Sequence, residues 1–546
     1  MVPEHRKSVA EEPVTSVLAN GDVPIIEAGQ VWDVDEEVLA SLGYKPEFKR
    51  DFSFWSVFSV SFAVLGLLPS FGTTLYYTMG FAGTAAMSWG WLVSSIGVTA
   101  VALSMAELCS SMPTAGGLYY AAAALAPSGW GPLAAWITGW SNWIAGLSGA
   151  PSVNYGVASM MLAMGNMHNA DFVPTRPEKF LLTLAIMVVH AFMASLPTKW
   201  AAFVNNMGTL FNIVGIFVVI ILIPTATNRT SRGLTKFNHT GDVWGQVYHG
   251  TDFPDGISVL MSFSGIVWAV SGYDAPLHLT EECDNANVAC PRAIVLTSVS
   301  GCLVGWVLQL VVAYTIVDIP GILSSDTAQP FAAYLDQCLP RPAAYAVLSL
   351  TIFGVFPFST FFAHVNQRTK TPVNSVLLNF AVGCILLFLI FGGDLAVGAI
   401  FSVGACSAFI SFGIPIFIRV LFVRNRFRSG PWNLGRLSIP IGTMAVLFVA
   451  LMTPILCLPA RTGKELNAQT MNWTSVVYLS PMAMCLIWWV LGARKWFKGP
   501  KNQSGIWVDR LRSSCPVVEG AWPAVGGKKH NPRNPPGTKH PTERPT

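Results

Sequence analysis

The sequence predicts an all-α polytopic membrane protein of about 12 transmembrane helices, and three observations lead there. Of its 546 residues 52% are hydrophobic and only 11% charged, with a mean hydropathy of +0.50, where a soluble domain carries about 25% charged residues. The apolar residues gather into runs of about 20, enough to cross roughly 30 Å of hydrocarbon. Two of those runs, five apart in order, are interrupted by glycine and proline, the pattern of an inverted repeat in which spans 1–5 match spans 6–10.

Spans 1 to 6 fall near 54–77, 87–109, 132–164, 180–197, 200–223 and 256–275, and spans 7 to 12 near 293–317, 343–363, 373–393, 395–418, 439–459 and 474–493. Span 3 is too long for one straight crossing, and a bend or a short extra helix is expected at Gly149–Ser152. All 33 Lys and Arg residues lie outside these spans, as the cost of a central charge demands. The domain division is an acidic disordered tail at 1–51, a transmembrane domain at 52–493 and a basic disordered tail at 494–546. The first tail holds 5 Lys/Arg against 11 Asp/Glu and the last 11 against 3. Residues 1–51 contain no apolar run, so span 1 is expected to act as the insertion signal. The basic stretch after span 12 suits anionic headgroups, making membrane lipid a partner and nucleic acid not one.

With both termini cytoplasmic, the short loops on that side hold 9 Lys/Arg against 8 opposite, and 25 against 8 with the tails included, so the positive-inside preference is weak in the loops alone. The sequons Asn228-Arg-Thr, Asn238-His-Thr and Asn472-Trp-Thr all fall in loops this topology puts outside, which makes those asparagines glycosylation candidates. Ten cysteines are scattered without a CxxC pair, so neither a metal site nor a disulfide framework is expected. His190 stands alone inside a span, which speaks against intramembrane catalysis. The Gly-x4-Gly-Lys-Ser/Thr phosphate loop is absent, so no nucleotide or other cofactor is expected, and transport would draw on an existing gradient.

The two interruptions are the candidate solute site, because unwound backbone survives at that depth only where it lines a cavity or is buried in protein. In span 1, Gly66, Pro69, Ser70, Phe71 and Gly72 are the candidates. If Pro69 starts the outer half-helix, the amides of Ser70, Phe71 and Gly72 are left at a positive helix end suited to a carboxylate. Carbonyls near Gly66 suit an ammonium group, and a small zwitterionic or cationic solute meets both. A plain proline kink is the alternative. In span 6 the fault runs through Trp268, Ser271, Gly272 and Asp274. Asp274 and Glu107 are the acids within or at the edge of a span, and so the candidates for proton coupling. The bland readings are an Arg292 partner or helix-end bond for Asp274, and for Glu107 a contact orienting the Met112–Gly117 loop. Asn142 in span 3 is a candidate for solute contact or for bonding a neighbouring helix.

The run Met105-Ala106-Glu107 to Pro113-Thr114-Ala115-Gly116-Gly117, with Gly129-Trp130-Gly131-Pro132, Trp140-Ser141-Asn142-Trp143, Gly272-Tyr273-Asp274-Ala275, Glu281-Glu282 and Pro291-Arg292-Ala293-Ile294, resembles fungal permeases for 4-aminobutyrate (GABA), choline and amino acids. These belong to the amino acid, polyamine and organocation superfamily. Gly66-Leu67-Leu68-Pro69-Ser70 is similar to the GABA-permease branch. The resemblance covers roughly residues 50–495 and implies a LeuT-type 5+5 fold with broken helices 1 and 6. It also implies proton-coupled uptake, a plasma-membrane or vacuolar location, and a role for Trp268 in closing over solute; ordinary packing is the alternative for that ring. Span 8 departs from the family. Ile352-Phe353-Gly354-Val355-Phe356-Pro357 joins directly what relatives separate by a further apolar stretch, leaving helix 8 short by about 20 residues. This comes from a splicing or gene-model error, or else from a real change in one wall of the site. The shortened span is expected still to cross, with transport weak or absent. A non-transporting sensor or inactive remnant is therefore the alternative function.

Overall fold

A computed structural model of the chain describes residues 50, 52–195, 198–353, 373–424, 426–467 and 470–500. Among these residues every regular element is a helix, with a single bridge pairing Phe52 and Cys283. Six helical stretches are long and apolar enough on their own to cross a bilayer: Phe54–Ser111, Asn206–Arg232, Ala286–Thr315, Val397–Leu421, Gly435–Ile455 and Thr474–Trp496. The first contains spans 1 and 2. Spans 6, 8 and 9 correspond to the shorter apolar helices Asp255–Ala269, Arg341–Phe353 and Val376–Gly392, and spans 3 and 4 to Gly131–His168 and Arg176–Ala194.

Packing follows the five-plus-five pairing. Spans 1 and 6 pack on each other, as do 2 and 7, 3 and 8, and 4 and 9. The contact of span 3 with span 10 is matched by that of span 8 with span 5, and span 1 against 5 by span 6 against 10. Each span reverses the chain, so a shift of five inverts the direction, and the repeat is the LeuT-type inverted one.

Lipid offers no hydrophobic drive for helices to associate, so close approach depends on small residues. A Cβ on Gly72 would meet Met160 Cε and Phe331 Cδ1 at 2.9 Å, and one on Gly265 would meet Thr78 Cγ2 at 2.6 Å. These contacts press the outer half of span 1 onto spans 3 and 6. Span 3 corrects an expectation. It is one helix of 38 residues through Pro151, without a separate helix at Gly149–Ser152. Proline forfeits one bond, and the next residue bonds back into the same turn, Ser152 Oγ donating to Ser148 O at 2.6 Å and to Gly149 O at 2.9 Å. The extra helix is instead Gly117–Leu125, between spans 2 and 3.

The loops sort by contact into two faces. On one, Ser110 Oγ donates to Asn287 O at 2.7 Å, Trp432 N to Ser110 Oγ at 3.0 Å, and Phe52 N to Glu282 O at 3.0 Å; this is the basic face, reached by Arg419–Arg436. On the other, the sequon face, Asn228 N donates to Cys338 O at 2.9 Å and Asp252 N to Ala460 O at 3.0 Å. The expected tails lie almost wholly outside the described residues.

A clasp on the sequon face gives a pH-dependent contribution. Thr462 N donates to Asp252 Oδ2 at 2.7 Å, and Arg461 Nη1 to Oδ1 at 3.0 Å. The Thr462 amide first, and then Arg461, hold the Asp252 carboxyl below its ordinary value. A depressed folded pKa gives stability that is complete above the unfolded value of about 3.9 and is lost as pH falls through the folded one. Thermal melts should therefore fall more steeply below about pH 4 in the wild type than in Asp252→Asn. Parallel curves would show that the clasp contributes nothing.

Candidate functional site

Span 1 breaks at one residue. Gly66, at φ +47° and ψ +52°, ends the helix Phe54–Leu65 and donates its N–H to Phe62 O at 3.1 Å, and Leu67 begins the outer helix. A left-handed φ is cheap for glycine and costs other residues roughly 1–2 kcal/mol. Because the helix restarts at Leu67, Pro69 is its third residue rather than its first, which corrects the expected anion cradle. Ser70 N donates to Gly66 O at 2.9 Å, while Phe71 and Gly72 lie beyond the turn whose amides are left open. Ser70 Oγ covers Leu65 O at 3.0 Å. Leu68 N, second in the outer helix, donates to Asn212 Oδ1 of span 5 at 3.3 Å.

Span 6 breaks over several residues. The helix Asp255–Ala269 closes with Val270 N donating to Ile266 O at 2.9 Å and Ser271 N to Trp268 O at 3.0 Å. Ser271 Oγ donates to the same Trp268 carbonyl at 2.7 Å. Gly272 sits at φ +101°, and a Cβ there would meet Val64 Cγ1 at 2.8 Å and Leu65 N at 3.1 Å. Ser61 Oγ donates to Gly272 O at 3.3 Å. The two breaks are thus in backbone contact, and Gly301 of span 7 faces both, since its Cβ would lie 3.0 Å from Leu65 and 3.2 Å from Val270.

Trp268 is buried, its ring 5.2 Å from that of Phe401 and inclined by 74°. A Cβ on Gly404 would strike both Trp268 and Ser148, so span 10 approaches the tryptophan as closely as glycine permits. Tyr77 OH donates to Gly398 O at 3.3 Å. Asn142 is half-buried and its neighbour Ser141 meets Tyr478 OH at 3.0 Å. Ser148, about 9 Å further along the same helix, is what span 3 brings to Trp268. Ser148 carries a weak signal in its run of small residues, and Asn212, Phe401 and Gly404 carry none.

Asp274 opens the short helix Ala275–His278, with Oδ2 3.9 Å from His278 Nε2. His278 Nδ1 lies 3.4 Å from Ala115 O. Arg292, the expected partner, is exposed; the partner is His278, one turn along the same helix. Glu107 also has a different neighbour from the one expected. Ser438 Oγ donates to Glu107 Oε2 at 2.5 Å, whereas the Met112–Gly117 loop is held by Glu281, whose Oε1 accepts from Ala115 N at 2.9 Å. Among the described residues no group of three or more His, Cys, Asp or Glu could share a metal ion.

The sequence model of the amino acid permease family matches residues 52–354 and 343–482. An uncharacterised amino-acid permease of Schizosaccharomyces pombe is 50% identical over 511 residues, covering 89% of this chain and 93% of that one. The chain belongs to the amino acid permease family. A putative polyamine transporter of Candida albicans is 41% identical over 516 residues, covering 90% of the permease and 93% of that protein. A manganese transporter of Eremococcus coleocola shares 12% identity at a TM-score of 0.43, covering 87% of the permease and 100% of that chain.

The family match comes in two pieces that meet at residues 343–354, where the missing stretch of span 8 was placed. The described part of span 8 is Arg341–Phe353, and Pro357, Phe358 and Ser359 lie outside the described residues. All three sequon amides of the permease are engaged. Asn238 Nδ2 donates to Ala313 O at 3.0 Å and Ile316 O at 2.9 Å, while its Oδ1 accepts from Arg229 at 2.6 Å. Asn472 Nδ2 donates to Leu456 O and Leu458 O, both at 2.9 Å. Asn228, with its amide turned to satisfy both ends, donates to Cys338 O at 3.1 Å and Gln337 O at 3.2 Å. A glycan on any of them requires these bonds to be given up.

The backbone contact at the breaks makes a prediction. Gly272→Ala should destabilise the permease by about 2–3 kcal/mol, combining left-handed strain with collision against Leu65. Gly66→Asn, at a φ that asparagine tolerates, should cost under about 1 kcal/mol. Equal shifts in thermal unfolding of the purified variants would show that the two breaks do not touch.

Proposed function

We propose that the permease is a secondary transporter importing a small amine-bearing solute, an amino acid such as GABA or a polyamine, with protons as the coupling ion. The observation that carries this reading is the backbone contact between the two interrupted spans, Gly272 against Val64 and Leu65. Buried unwound chain of this kind is tolerated where it serves a site. Substrate contact is assigned to Gly66, Ser271, Gly272 and Trp268, with Ser148 and Phe401 added, and coupling to Asp274. The side chain of Asp274 is 21% exposed, so solute or protons reach it without unfolding.

Between the two solute classes, geometry favours the amine over the carboxylate. Ser70 N is bonded to Gly66 O and Leu68 N to Asn212, so these two amides at the start of the outer half-helix are engaged, while the Asp274 carboxylate, with His278 3.9 Å away, offers an acid to an ammonium group. The similarity to a putative polyamine transporter agrees with this. In cells lacking their own permeases, the chain should drive saturable uptake of labelled putrescine or GABA, with putrescine the better competitor. Asp274→Asn should lower that uptake at least tenfold and flatten its pH dependence while leaving membrane insertion intact. Uptake indifferent to both proton gradient and mutation would remove Asp274 from coupling. No uptake of either solute would favour the inactive remnant or sensor that the short span 8 suggests.

Orientation forms part of the proposal: both termini and the basic face are cytoplasmic, in the plasma membrane. A cysteine at position 428, made as Arg428→Cys, should resist a membrane-impermeant reagent on intact cells and react after permeabilisation. Labelling on intact cells would invert the topology.

A further inference from the structure

Away from the breaks, at the basic face, lies a buried charged cluster that the transport reading does not use. Glu107 on span 2 is 4% exposed, and Arg419 at the end of span 10 and Ser438 at the start of span 11 are each 7% exposed. Ser438 Oγ donates to Glu107 Oε2 at 2.5 Å and accepts from Arg419 Nη2 at 3.1 Å. Arg419 also donates from Nη1 to Arg424 O at 3.2 Å, and its guanidinium lies 4.0 Å from the centre of the Phe427 ring. Carboxylate and guanidinium are thus joined through a single hydroxyl. Glu107 Oε1 and Arg419 Nε have no partner among the described residues.

A cluster built only for stability would pair the two ions directly, in the bidentate form that is strongest. This one leaves a buried polar atom on each ion, a costly arrangement that water entry would relieve. The three groups stand on three helices, and the loop after span 10 is strapped to span 2 beside them by the Trp432 N to Ser110 Oγ bond. A small separation of span 2 from spans 10 and 11 breaks the Ser438–Glu107 bond, the one link of the cluster to span 2, while Arg419 stays bonded to Ser438. Alternating access in repeat-built transporters requires packed spans to separate at one face and then the other.

We propose that Glu107, Ser438 and Arg419 form a latch across spans 2, 10 and 11 that holds the basic face shut, with Ser438 as the positioning residue that sets how readily it opens. The latch rests on the permease reading only through the movement it restrains. Its test needs no solute. Cys109, two residues beyond Glu107, is fully buried, and Cys302, on span 7 beside Trp91 toward the sequon face, is 3% exposed and serves as control. In the full chain reconstituted in lipid vesicles, maleimide modification of both is followed peptide by peptide by mass spectrometry.

Ser438→Ala should raise the Cys109 rate about tenfold, the change expected on losing a hydrogen bond to a buried charge, and leave Cys302 unchanged. Ser438→Thr, which keeps the hydroxyl, should label like the wild type. Adding Glu107→Gln to Ser438→Ala should raise the rate little further, because both act on one unit. An unchanged Cys109 rate in Ser438→Ala, or an equal rise at Cys302, would overturn the latch. A rise at Cys109 in a chain that transports neither putrescine nor GABA would leave the latch standing and remove the permease reading instead.

Discussion

A peptide group inside a bilayer must find its hydrogen bonds within the protein, and the rest of this structure depends on how two interrupted spans meet that demand. At span 1 the remedy is local: Gly66 turns the chain, and the amide and hydroxyl of Ser70 cover the Gly66 and Leu65 carbonyls. At span 6 the remedy is shared, with Ser61 covering the Gly272 carbonyl from the opposite break. Neither break would be stable alone. Their contact fixes the depth at which spans 1 and 6 cross, and spans 5, 7 and 10 pack around that level through Asn212, Gly301 and Gly404.

That accounting also limits what a solute can offer. An amide already bonded to Gly66 or Asn212 has little left for a carboxylate, and exchanging one acceptor for another gains little. An ammonium group is different, because it brings three donors and so asks for acceptors rather than for these amides. Trp268 packs on Phe401 and Tyr77 bonds Gly398, so span 10 is tied to both interrupted spans.

How much of this was legible depended on whether the signal was local. Twelve spans, two breaks and an inverted pairing follow from apolar run length and from glycine and proline inside those runs, and the described residues hold a helix for each span, both breaks and the pairing, with span 8 described only to Phe353. The start of the outer half of span 1 was misplaced because proline is a strong prior for a first helical position, whereas the left-handed φ of Gly66, which sets the start, leaves no mark beyond the glycine itself. Partners were harder. Glu107 finds Ser438 331 positions away, and no pattern in one chain selects that serine. Asp274 was the opposite case: its partner His278 is one turn on, and distant Arg292 was considered in its place. Phe401 and Gly404 sit in an unbroken apolar run, where lipid-facing and site-facing residues read alike.

Span 8 joins the fold to the question of activity. The helix Arg341–Phe353 is about 20 Å long at 1.5 Å per residue, so from the sequon face it covers about two thirds of a crossing. Its far end already reaches the breaks. A Cβ on Gly215 of span 5 would meet Leu68 Cδ2 at 2.8 Å and Leu350 Cβ at 3.7 Å, which places Leu350 level with Leu68, two residues past Gly66. The wall that span 8 presents from the sequon face down to the break is therefore built from residues this chain retains. The segment expected to be missing would fall beyond Phe353, outside the described residues. A defect confined to that segment would affect opening and release on the basic side more than solute recognition from the sequon side. Binding measured without turnover is then the property least sensitive to the missing segment.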